Sequence, residues 1–127
     1  MIDHISIGVS NLERATRFYE SILGTIGYAR LDVRANTVGF GKRYSEFWLN
    51  HRPGMSAVEA GSGGHVCLRA PSRQAVDAFH AAALTAGAES DGAPGERPQH
   101  GEGYYAAYIR DLDGNRIEAV TFLRRAD

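Results

Sequence analysis

Cysteine is nearly absent from this chain of 127 residues. Cys67 stands alone, which excludes an intrachain disulfide framework and leaves the fold to be held by a core. Blocks of one charge are missing too. Fourteen basic and fifteen acidic side chains are interspersed, for a net charge of −1, so there is no electrostatic footprint for nucleic acid or an anionic membrane surface. No apolar run approaches the roughly twenty residues that cross a bilayer, and the N-terminus lacks the basic stretch and apolar run of a secretory signal. These absences point to a reducing, cytoplasmic setting and a small-molecule partner, with no nucleic acid and no membrane. With 43% hydrophobic residues, the length suits one compact core and is short for two. Residues 1–127 are therefore expected to form a single domain.

What is present is a repetition. "IDHISIGVSNLERATRFYESIL" and "GGHVCLRAPSRQAVDAFHAAAL" each set a histidine third and a phenylalanine fourteen positions later, His4 to Phe18 and His65 to Phe79. In the first copy Ile5, Ile7 and Val9 alternate with polar or small residues, the period of a strand with one apolar face. Asn11 then caps a helix whose apolar positions Leu12, Ala15, Phe18, Ile22 and Leu23 recur at helical spacing, ending near Gly24. The second copy repeats this with Val66, Leu68 and Ala70, a Ser72 cap, the stripe Val76, Phe79 and Ala83, and an end near Gly87. His80 is expected at the surface or a subunit contact. After each helix come three short strand-like runs: "YARLDV", "TVGFG" and "EFWLN", then "AES", "YYAAYIR" and "RIEAVTF". The expected fold is α+β: two βαβββ repeats, about 1–50 and 64–123 with a linker about 51–63, forming a curved mixed sheet around a cavity with the helices outside.

Histidine opens each copy on the strand face turned away from the helix. In the last strand Glu118 alternates with Ile117 and Ala119 and joins that same face, where an unpaired buried carboxylate would be costly. A divalent metal held by His4, His65 and Glu118 resolves the cost. Two imidazoles and a carboxylate on one side of an ion leave its other positions open, the arrangement of a catalytic centre. Iron, manganese, zinc and nickel are all compatible with this set.

The duplicated pattern, the two histidines and "RDLDGNRIEAV" together resemble the vicinal oxygen chelate superfamily over essentially the whole chain. That superfamily includes glyoxalase I, extradiol dioxygenases, methylmalonyl-CoA epimerase, glutathione-dependent fosfomycin resistance enzymes and metal-free bleomycin-binding proteins. The resemblance implies that His4 and His65 match the first two family ligands and Glu118 the carboxylate after the Asp-x-Asp-Gly turn. Where glyoxalase I carries a fourth ligand this chain has Trp48, which cannot bind metal, so the ligand set is similar to those of extradiol dioxygenases and fosfomycin resistance enzymes. Tyr108, on the cavity face by strand parity, resembles the dioxygenase tyrosine that donates to a substrate oxyanion. The acid/base histidine of those enzymes has no counterpart in "SEFWLN"; His51 lies just beyond.

The Gly/Pro-rich stretch "DGAPGERPQHGEGYY" reads as a long loop closing the cavity mouth. It offers His100 for proton transfer and Tyr104 for substrate contact. Trp48 and Tyr108 can stack on a conjugated ligand, and Arg69 and Arg110 can bind an anionic group. Cys67 reads as a small packed thiol. The expected function is a metal-dependent enzyme, glyoxalase-like or dioxygenase-like, that chelates a small oxygen-bearing substrate and stabilises an oxyanion; lyase, isomerase, transferase and dioxygenase outcomes share that step. The alternative is an antibiotic- or metabolite-binding protein of the bleomycin-resistance kind, without turnover. A chain this small has limited means of covering its open sheet edges, and single-module relatives commonly pair, so a homodimer is expected.

Overall fold

The computed structural model describes residues 1–124; the last three residues of the expected domain, 125–127, lie outside the described residues. The first unit runs β1 (Ile5–Val9), α1 (Leu12–Gly24), β2 (Ala29–Val33), β3 (Thr37–Gly41) and β4 (Ser45–His51). The second runs β5 (Val66–Arg69), α2 (Arg73–Thr85), β6 (Glu89–Glu96), a 3-10 turn (Pro98–His100), β7 (Tyr104–Arg110) and β8 (Arg116–Phe122). The caps form as their residue types predict: Asn11 Oδ1 accepts from the Arg14 amide at 3.0 Å and Ser72 Oγ from the Ala75 amide at 3.1 Å, satisfying one orphan donor at each helix start.

Each unit builds its own four-stranded mixed sheet, ordered β1-β4-β3-β2 and β5-β8-β7-β6. The opening strand lies parallel to the closing one, Ile5 beside Phe47 and Val66 beside Ile117. The registers of the two units superpose, so Ser6 partners Trp48 as Cys67 partners Glu118. Trp48 therefore occupies, in the first unit, the position that Glu118 occupies in the second. The α+β class and the paired βαβββ units are as the sequence predicts. The mixed sheet is built in two four-stranded parts, one per unit, with no closed barrel among the described residues.

The helices pack against one another and against one face of their sheets, giving a core continuous across both units. Tyr19 meets Phe18 and Phe47 with ring centroids 5.0 Å away in each case, and Phe40, Phe47, Phe79, Ile22 and Leu49 are fully buried. Each such side chain contributes about 1.5–3 kcal/mol of burial. The "DLDGN" turn between β7 and β8 bolts the units together. Tyr19 donates to Asp111 at 2.5 Å, the Ser10 amide to Asp113 at 3.1 Å, and Asn115 Nδ2 to the Gly8 carbonyl at 3.0 Å. Gly114 adopts φ +90, and a Cβ there would lie 2.6 Å from the Val58 carbonyl, so the turn admits no side chain.

Two expectations are corrected. The first half of the Gly/Pro-rich stretch is strand β6, not loop. As an edge strand bonded only to β7, with register shifts at Ser90/Gly92 and Gly92/Gly95, it tolerates Pro94 and glycines that a central strand would not. His80 is buried, not superficial, and its Nε2 pairs with Ser90 Oγ at 2.7 Å. It lies four residues after Val76 and three before Ala83, inside the apolar stripe.

Candidate functional site

Strand parity places Glu118 on the helix-free face of the second sheet, flanked by Cys67 on β5 and Tyr108 on β7, its direct cross-strand partners. Tyr108 and Glu118 thus stand opposite one another in the β7–β8 hairpin, which accounts for their ten-residue separation. The Glu118 side chain is 4% exposed and meets His65 Nε2 at 3.1 Å, while the His65 ring is 52% exposed. Tyr104, at the start of β7, donates its hydroxyl to the other carboxylate oxygen, Glu118 Oε2. A buried carboxylate held by an imidazole and a phenol has its hydrogen-bonding needs met but has no fixed cation beside it.

Its neighbours carry its electrostatic signature. Burial, then Glu118, pushes the Tyr104 phenol well up and the Tyr108 phenol up, with the Arg97 guanidinium pulling Tyr108 partly back. Both tyrosines are therefore donors at neutral pH. The Cys67 thiol, though it keeps accessible surface, is pushed up to about 12 by packing of its sulfur and by Glu118, so it offers no thiolate nucleophile.

Above this floor opens a cleft of about 400 Å3 that includes His65, Asp91, Arg97, His100, Tyr108 and Arg116. His100 ends the 3-10 turn and rests against Tyr104, ring centroids 5.3 Å apart, while its own surface is exposed. Arg110 reaches Asp91 at 3.7 Å at the edge of the cleft. Arg69 lies elsewhere on the sheet, its guanidinium 4.6 Å over the Phe122 ring.

His4 is in a different place. It precedes β1, is 52% exposed, and pairs with Asp3 at 2.7 Å. It belongs to a second cleft, on the helix-free face of the first sheet, with Ser6, Asp32, Arg34, Tyr44 and Trp48. Arg34 lies 4.9 Å over the Trp48 ring. Of the expected metal set, one chain brings His65 and Glu118 together and leaves His4 apart. Among the described residues no group of three or more His, Cys, Asp or Glu side chains is gathered to hold an ion. His65 and Glu118 do fit part of a divalent site: an imidazole nitrogen and a carboxylate oxygen converge at the edge of a cleft, with Tyr104 orienting the carboxylate as an outer-shell donor does. His51 closes β4 with the parity of Phe47 and Leu49, away from the helix-free face.

Sequence reasoning missed Arg97, Arg116 and Asp91. The parity shared by Arg116 and Glu118 is a usable signal; Arg97 and Asp91 lie in the stretch expected to be a loop closing the cavity mouth, where only His100 and Tyr104 are singled out.

The chain matches the family model of the Glyoxalase/Bleomycin resistance protein/Dioxygenase superfamily over residues 1–119. Among solved structures it is similar to a glyoxalase/bleomycin resistance protein from Albidiferax ferrireducens T118, at 30% identity over 93% of this chain and 95% of that one, with TM-score 0.79. It also shares its fold with a glyoxalase/bleomycin resistance protein/dioxygenase family enzyme from Burkholderia phytofirmans PsJN (18% identity, 96% and 98% covered, TM-score 0.73). A third is the genomically encoded fosfomycin resistance protein FosX from Listeria monocytogenes (17% identity, 94% and 91% covered, TM-score 0.68). No curated protein matches.

Proposed function

The chain belongs to the glyoxalase/bleomycin resistance protein/dioxygenase superfamily, and from that premise we propose that it is a metal-dependent enzyme acting on a small oxygen-bearing molecule, with each centre shared between two copies of the chain. His65 and Glu118 of one copy and His4 of the partner subunit would hold a divalent ion. The observation that carries this reading is the separation itself: a buried carboxylate and an imidazole meet on the open face of one sheet, while the equivalent imidazole stands exposed on the open face of the other. Apposing the first sheet of one copy with the second sheet of another covers both faces and is satisfied twice by one two-fold axis.

A divalent ion in that position supplies Lewis acidity, lowering the cost of negative charge on a substrate oxygen. The protein's own groups then have distinct tasks. Tyr104 fixes Glu118 in orientation. Tyr108, protonated at neutral pH and beside Glu118, donates to the oxygen on which charge develops. His100, at the cleft rim, accepts or returns a proton. Trp48 of the partner subunit closes the far wall with an aromatic face. Keeping both histidines and the carboxylate favours turnover over simple sequestration of a ligand.

Elemental analysis of the purified protein tests the centre. Near-stoichiometric divalent metal is expected, and His65→Ala combined with Glu118→Ala should abolish it. Metal that survives unchanged in the double variant would refute this site.

A further inference from the structure

Arg97 is held in the second-sheet cleft by a slot built into β6. Its guanidinium lies 5.4 Å over the centroid of the Tyr108 ring, and its Nη2 donates to the Ala93 carbonyl at 2.6 Å. Two glycines make the slot. A Cβ at Gly92 would stand 2.8 Å from Tyr108 Cδ2 and 3.3 Å from Arg97 Nη2, and one at Gly95 would stand 2.9 Å from Arg97 Nη1. Side chains at either position would collide with the ring or the guanidinium. Glycine backbone on one side and a phenol ring on the other thus clasp a flat cation, whereas an arginine serving only solubility stays mobile and needs no such seat.

The charge in the cleft is unbalanced. Among the described residues no carboxylate comes within ion-pair distance of Arg97, which donates instead to the carbonyls of Ala93 and Glu96. Asp91, the carboxylate lining the cleft, is shared by Arg116 at 3.1 Å and Arg110 at 3.7 Å, so that trio keeps an excess positive charge. Glu118 lies beneath, hydrogen-bonded to His65 and Tyr104, and with its charge counted beside that of Asp91 the three arginines still leave one positive charge in excess. A guanidinium with free N–H groups, pinned flat in a cleft that is net cationic, is arranged to receive an oxyanion in bidentate fashion.

The geometry points to Arg97 as the anchor that selects substrates bearing a carboxylate or phosphate group, with Arg116 adding charge from the same cleft. This rests on reading the cleft as the substrate site, but it does not require the metal. Titration calorimetry of the full chain, metal-loaded and metal-free, with benzoate, phenyl phosphate and uncharged benzyl alcohol tests it. Wild-type protein should bind at least one of the two anions in both metal states, and benzyl alcohol at least about tenfold more weakly. Arg97→Gln should weaken anion binding by about tenfold or more, the loss expected for a charge-assisted hydrogen bond, and leave metal content and molecular mass unchanged. Arg97→Lys should recover part of the loss. Which anion binds more tightly distinguishes a carboxylate from a phosphate substrate. Should Arg97→Gln fold poorly, Gly95→Ala, which crowds the guanidinium without removing its charge, should weaken the anion as well. Wild-type protein that binds neither anion, or Arg97→Gln and Gly95→Ala variants that bind as wild type does, would overturn the anchor. Metal is measured on the same samples, so its absence counts against the metal centre alone.

Discussion

Glu118 sits on the open face of a sheet with 4% of its side chain exposed, a placement that a carboxylate serving only solubility would not adopt. It accepts from the Tyr104 phenol and meets the His65 imidazole, and a carboxylate buried this deeply is costly unless it is well partnered. The cost is offset when a cation arrives, which is why this residue anchors the functional reading. Tyr108, directly across the hairpin, is then placed to touch substrate rather than metal. Tyr108→Phe is expected to retain metal and fold, since the ring still fills its space under Arg97. Turnover of a converted substrate should fall by about ten- to a thousandfold, as on losing one oxyanion donor, with substrate binding changed less. Parallel loss of metal and activity would make Tyr108 a support of the ligand set. Unchanged turnover would make it a wall.

At the scale of elements, α2 carries a titratable group in its buried stripe. Burial lowers the pKa of His80 from its ordinary 6.5, so the folded chain holds fewer protons than the unfolded one just below that pH. The stabilising contribution of the neutral ring is therefore complete above about 6.5 and is lost as pH falls through the folded value. Melting temperature should drop more steeply from pH 7.5 to 5.5 for wild type than for His80→Gln, which keeps a partner for Ser90 without titrating. The exposed histidines are common to both proteins and cancel; equal slopes would show that His80 is not coupled to folding. The helices, their caps and the opening and closing strands were legible because each obeys a single period with a clear start signal, Asn11 and Ser72 above all. Strand β6 was not, because "DGAPGE" has the composition of a loop, and only its edge position and pairing with β7 make it a strand. His80 is the counterpart of Tyr19 in the first helix, and its spacing to Val76 and Ala83 puts it inside the stripe, as Tyr19 is inside its own.

At the scale of the whole molecule, parity showed which face His4, His65 and Glu118 would take, and the structure puts His65 beside Glu118 as that parity implies. Parity does not say which sheet faces which. The two units carry the same pattern, so His4 can meet Glu118 within a chain or across two chains at equal cost in the sequence. The Asp111, Asp113 and Asn115 bolt joins the units side by side, with Tyr44 and Phe122 exposed, and this arrangement supports the proposal of a centre shared between chains. A second copy apposed as proposed would cover both faces at once. Light scattering should therefore give twice the chain mass. The most direct measurement is the metal content of a heterodimer between a His4→Ala chain and a Glu118→Ala chain, each carrying a different affinity tag. Each variant alone should bind little metal. Pairing them places both lesions in one shared centre and leaves the other whole, so the heterodimer should regain about one ion, half the wild-type load of about two per dimer. A heterodimer as empty as its parents would contradict a centre shared between chains.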